Sequence, residues 1–163
     1  MSLSRIGTLT VLLVSTGLVG CGFRMQGIGA FPESLATTYI DTPDRYSVFY
    51  RELRSELEQG GVKVVDSPVH SNATIRIETD NSGQNVLTVS GRNVPTEYNV
   101  FYNISYSVWV ESEEVLPAQE LGLTQAYTYD ATTVLGKNRE RDAIRDALAE
   151  NLVRQVAQQL SLL

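Results

Sequence analysis

An α+β fold, a mainly antiparallel sheet with two helices packed on one face, is predicted by two kinds of periodicity in this 163-residue sequence. Two segments repeat apolar residues at helical spacing: Phe49, Leu53 and Leu57 in the first half, and Ile144, Leu148, Leu152, Val156 and Leu160 at the end. Between them the pattern changes to alternation, most clearly through Tyr98, Val100, Tyr102, Ile104, Tyr106, Val108 and Val110. A sheet with one apolar face and two helices with one apolar stripe each bury those surfaces against one another.

In chain order, residues 1–20 have the parts of an export signal: Arg5, an apolar stretch from Ile6 to Val19, and small residues before a cut. The stretch is short for a membrane helix, which wants about 20 apolar residues, so the membrane-anchor reading is the weaker one. Leu18-Val19-Gly20-Cys21 resembles a lipobox, with Cys21 as the lipidated first residue after cleavage. Cys21 is also the single cysteine of the chain, so an oxidising compartment offers it no partner within its own chain. Several acyl chains, at about 0.8 kcal/mol per buried methylene, would anchor the domain durably. Gly22 rather than Asp follows the cysteine, which by resemblance to sorting signals points to the outer membrane, on its periplasmic side.

The expected organisation is therefore a signal peptide at 1–20, a lipidated tether at 21–35 and a single α+β domain at 36–163. A short strand is expected from Ala36 to Asp41, stopped at Thr42-Pro43-Asp44 because proline removes a donor and constrains its predecessor. The first helix ends at Gly60-Gly61, where glycine supplies a left-handed cap. Strands follow at Val62–Val65, Ala73–Thr79 and Val86–Ser90, with turns at Asp66-Ser67-Pro68 and Asp80-Asn81-Ser82-Gly83. After the alternating run comes an acidic loop, Glu111-Ser112-Glu113-Glu114, then a last long strand from Leu121 to Val134 and a helix from about Asn138 to Leu160.

Charge and residue inventory exclude several functions. The formal balance is −6, and −7 once Arg5 leaves with the signal, so nonspecific nucleic-acid binding, which depends on clustered cations, is not expected. The one histidine, His70, lies in a turn beside Ser67, Ser71 and Asp66, but adjacency in sequence does not build a catalytic triad. No cysteine and histidine cluster suits a metal, and neither a phosphate-binding loop nor a dinucleotide fingerprint occurs, so neither an enzyme nor a cofactor is expected. Arg76 is expected on the wetter sheet face, Arg139 and Arg141 in helix-surface pairs, and Phe101 and Trp109 on a polar strand face that could meet another protein.

Cys21-Gly22-Phe23-Arg24-Met25-Gln26-Gly27, the helix end Leu57-Glu58-Gln59-Gly60-Gly61-Val62, Gly91-Arg92-Asn93 before Thr96-Glu97-Tyr98, and Leu135-Gly136-Lys137-Asn138-Arg139-Glu140 together resemble the lipopolysaccharide-assembly lipoprotein family LptE. The resemblance implies an outer-membrane lipoprotein that plugs the large β-barrel LptD, helps it assemble, and assists delivery of lipopolysaccharide to the cell surface. It further implies lipopolysaccharide contact at the basic positions of two loops, occupied here by Arg92 and Lys137. The sequence ends at Leu163 without a polar tail, so no role of such tails is carried over. A guanidinium forks onto two phosphate oxygens and an ammonium acts as a point charge, so the pair suits a phosphorylated lipid head group. The alternative is an auxiliary periplasmic lipoprotein of another lipid-transport system, with the same anchor and a similar small domain but no barrel.

Overall fold

A computed structural model describes residues 31–129 and 134–163. The expected signal peptide, Cys21 and most of the tether lie outside the described residues.

A 3₁₀ turn at Glu33–Leu35 leads into strand β1, Thr37–Asp41, with the buried Thr38 hydroxyl donating to the Leu35 carbonyl at 2.7 Å. Asp44 then accepts from the Tyr46 N–H at 2.8 Å, and Ser47 caps helix α1, Val48–Gln59, by accepting from the Tyr50 N–H at 3.0 Å. The predicted stripe, Phe49, Leu53 and Leu57, is buried together with Tyr50. At the other end Gly61 takes φ +89°, its N–H reaches the Glu58 carbonyl, and the Val62 N–H reaches that of Leu57, which is the Schellman arrangement. Gly60 matters for a different reason: a Cβ there would run into the Phe31 ring, which packs on it.

Strands β2 (Lys63–Val65), β3 (Ala73–Val89), β4 (Pro95–Val110) and β5 (Glu113–Thr128) complete one five-stranded sheet in the order β2-β1-β3-β4-β5. The sheet is mixed: β1 runs parallel to both β2 and β3, while β3–β4 and β4–β5 are long antiparallel ladders. The parallel part arises because α1 is a crossover connection, which returns the chain beside β1 in the same direction. Helix α2, Val134–Leu160, packs its buried stripe from Ile144 to Leu160 into one core with α1 and the even-numbered residues Val100 to Val108 of β4.

Three boundaries differ from expectation. Asp80-Asn81-Ser82-Gly83 is not a turn but the middle of β3, paired to Ile104, Asn103, Tyr102 and Phe101. The sixteen-residue β4 supplies a pairing partner for each of these residues, and that ladder overrides local turn propensity. The irregularity survives as a bulge between Ile77 and Thr79, which moves Asp80, Ser82 and Gln84 onto the same face as Ile75 and Ile77. Next, the acidic loop shrinks to Glu111 and Ser112, both with positive φ as a tight hairpin turn demands, so β5 starts at Glu113 and ends at Thr128. Finally, α2 begins at Val134, so the expected last strand ends early, and its residues 130–133 lie outside the described residues.

Candidate functional site

The β3–β4 turn, the end of β5 and the entrance to α2 share one end of the domain, because Glu97 pairs with Thr128 and the Tyr129 N–H donates to the Thr96 carbonyl at 2.8 Å. The turn itself is closed by the Ser90 N–H on the Val94 carbonyl at 2.8 Å, with Asn93 at φ 59°. Arg92 stands exposed at its tip, and among the described residues it makes no ion pair. Around it, Val86, Leu87, Val89 and Val94 are about half exposed, so the tip is an apolar surface with one cation.

Lys137 belongs to the same end but not to a loop. It sits in the first turn of α2, and its ammonium is 2.7 Å from the Glu140 carboxylate. The two expected cations are therefore unequal: among the described residues Arg92 makes no ion pair, and Lys137 is held by an acid of its own helix. Beneath them Tyr98 stacks on Tyr127 at 5.9 Å and meets Tyr129 edge-on at 5.2 Å, which stiffens the base of the hairpin. The Tyr127 hydroxyl donates to Gln84 at 3.0 Å, and burial pushes its pKa up.

Between the outer part of β3 and α2 lies a cavity of about 230 Å³ lined by Ser82, Gly83, Gln84, Val100, Arg141, Asp142 and Arg145. Arg141 and Arg145 pair with their sequence neighbours Asp142 and Asp146, each at 2.9 Å. Close by, the Tyr102 hydroxyl donates to Asp80 at 2.8 Å and accepts from the Phe49 N–H at 3.3 Å. Burial first, then the Asp80 carboxylate, push the Tyr102 pKa up. No sequence signal pointed to this cavity, because its β3 residues read as a turn.

The opposite sheet face carries Phe101, Asn103, Ser105, Ser107 and Trp109 of β4. The Phe101 ring lies over Gly83, where a Cβ would come within 2.8 Å of it. Arg76 lies there too, as expected, with its guanidinium 5.5 Å from the Trp109 ring centre and Nε 3.4 Å from Asp41. His70 is exposed on a 3₁₀ turn, Pro68–His70. Its serine neighbours are spent on the backbone: Ser67 accepts from the Val69 N–H and Ser71 donates to the Pro68 carbonyl, while Asp66 pairs with Arg54 at 3.2 Å.

A family model described as LptE, lipopolysaccharide-assembly, matches residues 35–160. The chain is similar to the LPS-assembly lipoprotein LptE of Yersinia pestis, 24% identical over 157 residues that make up 96% of this chain and 75% of the relative. Among solved structures it resembles the rare lipoprotein B of Shewanella oneidensis, with TM-score 0.65 and 21% identity over 76% of this chain and 92% of the other. It also resembles an uncharacterized lipoprotein B of Nitrosomonas europaea, with TM-score 0.70 and 22% identity over 86% of this chain and 90% of the other.

Proposed function

The chain belongs to the LptE lipopolysaccharide-assembly family, and we propose that it is an outer-membrane lipoprotein, anchored through Cys21, that plugs and helps assemble the LptD β-barrel and binds lipopolysaccharide during its delivery to the outer leaflet. The observation that carries this reading is the family match itself, which runs from Leu35 to Leu160 and takes in all five strands and both α-helices of the described residues. The exposed polar side chains of the sheet face opposite the helices, among them Arg76, Thr79, Asn81 and Asn103, support it, since a large barrel lumen is polar and a plug must meet it with hydrogen-bonding side chains.

For lipopolysaccharide, the hairpin tip offers both halves of an amphiphile's needs. Arg92 supplies a bidentate donor for phosphate, and the half-exposed valines beside it supply apolar surface for acyl chains. Lys137 adds a second cation at the same end when its ion pair with Glu140 opens. With a net negative chain, attraction to an anionic lipid is local to this end.

The test is extraction of the native protein in mild detergent, followed by intact mass and composition of the eluted complex. The expected result is a cleaved, acylated Cys21 and a stoichiometric barrel. An unmodified thiol would overturn the anchor. Normal barrel assembly after depletion, with no copurifying barrel, would favour an auxiliary lipoprotein of another lipid-transport system.

A further inference from the structure

The sheet has two long edges, and they are built differently. On β5 the outermost strand carries Glu113, Glu114 and Glu120 and is interrupted by Pro117, all devices that discourage another strand from adding. On the other side β1 covers β3 only from Ala73 to Arg76. Among the described residues nothing pairs with the far edge of β3 from Ile77 to Val89. That edge is unguarded: from Asn81 to Gly91 it contains neither a charge nor a proline. A row of unpaired N–H and C=O groups of this length is a template for strand addition.

Two further observations bear on what fills it. Asp80, at the root of the free edge, has a buried carboxylate oxygen, Oδ2, with no hydrogen-bond partner, the one such side-chain atom among the described residues. Buried acceptors of this kind are rarely left empty. The cavity lined by Ser82, Gln84, Arg141 and Arg145 flanks the same stretch on the helix side, with room for side chains of an added strand. The tether of this chain is too short to be that strand. Phe31 packs on Gly60, beside the start of β2, and Thr38 is level with Ala73. Asn81 lies eight residues further along, roughly 27 Å away. After the cleavage proposed above, residues 21–30 span at most about 35 Å fully extended, of which about 27 Å is spent on reaching Asn81, so they cannot cover the edge out to Val89.

We propose that the free edge of β3, from Glu78 to Val89, receives an extended segment of the partner protein as a sixth strand. The segment carries a donor for Asp80 and polar side chains toward the cavity, where Arg141 and Arg145 are already paired with Asp142 and Asp146. This rests on the barrel-partner reading above, and the segment is a strand or strand-like loop of that partner.

The experiment is residue-resolved amide hydrogen exchange on the full chain in mild detergent, alone and in its purified complex with the LptD barrel. Alone, alternate amides of β3 from Glu78 to Val89 exchange fast, because the intervening ones already bond β4. In the complex those alternate amides slow at least tenfold, while the β5 edge is unchanged. A complex that forms without this change overturns the edge proposal and leaves the barrel reading standing. Absence of any complex overturns the barrel reading itself. Protection already present in the chain alone overturns the proposal too, in favour of the tether if it is independent of concentration and of a second copy if it is not.

Discussion

Ile75 and Ile77 in the first half of β3 are 0% and 3% exposed, whereas Val86, Leu87 and Val89 in its second half are 49%, 56% and 49% exposed. The two halves belong to one strand and pair with one partner, β4. What separates them is what lies around: the first half is flanked by β1 and joins the core shared with both helices, while the second extends past β1 as an arm. Apolar character alone thus has two uses in this molecule. In the first half it stabilises the domain by burial, and in the second it is left as surface for something else to cover.

The largest expected effect tests that division. Ile75→Ala removes a fully buried side chain and should cost about 3 kcal/mol of unfolding free energy. Leu87→Ala, by contrast, should change stability by less than about 0.5 kcal/mol. Urea titrations of both variants decide it; equal losses would mean that the arm is part of the cooperative core.

A buried tyrosine sharpens the same comparison. Tyr106, opposite Ile77, is wholly buried, its hydroxyl donates to Gln159, and burial pushes its pKa up to about 12. A folded-state pKa above the unfolded value of about 10 means that the stabilisation is complete below pH 10 and is lost as pH rises toward 12. Tyr106 should therefore contribute on the order of 2 kcal/mol to the loss across that window, and Tyr106→Phe should remove that part while the part due to the raised Tyr102 and Tyr127 remains. Denaturant midpoints between pH 9 and 12 provide the readout.

Much of the buried half was legible in the sequence, and little of the arm was. The stripe of α1, its Gly60-Gly61 stop and the alternating run of β4 are local patterns, and each appears where its periodicity put it. The passage of β3 through Asp80-Asn81-Ser82-Gly83 depends on partners 18 to 24 residues away, which no local turn rule registers. The same holds for the parallel placement of β1, fixed by the α1 crossover. At the candidate site, the placement of Arg92 in the β3–β4 turn was legible from local turn residues. The state of Lys137 was not, because the earlier start of α2 creates the pairing with Glu140 at i, i+3.

Those two cations give the next effect in size. Changing Arg92 and Lys137 together to Glu should lower lipopolysaccharide binding at least tenfold, with unfolding free energy changed by no more than about 0.5 kcal/mol. The residual binding should lose its salt dependence, since exposed charges are screened over about 8 Å at physiological ionic strength. Undiminished affinity would reduce both residues to solvated surface and leave the apolar arm as the lipid contact.

The smallest effect separates the two cations from each other. Lys137 sits near the positive end of α2, where a cation is disfavoured, and its ammonium is offset by the Glu140 carboxylate at 2.7 Å. A partly exposed pair of this kind is worth roughly 0–1 kcal/mol, and a phosphate that engages Lys137 must give up that amount. Glu140→Gln keeps the shape and removes the competing charge. Affinity for lipopolysaccharide should then rise by up to about fivefold, the factor that 1 kcal/mol allows, while stability falls slightly. Adding Glu140→Gln to Lys137→Glu should give no such rise, because the ammonium to be released is gone. If Glu140→Gln raises affinity equally in both backgrounds, the gain comes from general loss of negative charge at this end, and the phosphate contact belongs to Arg92 alone.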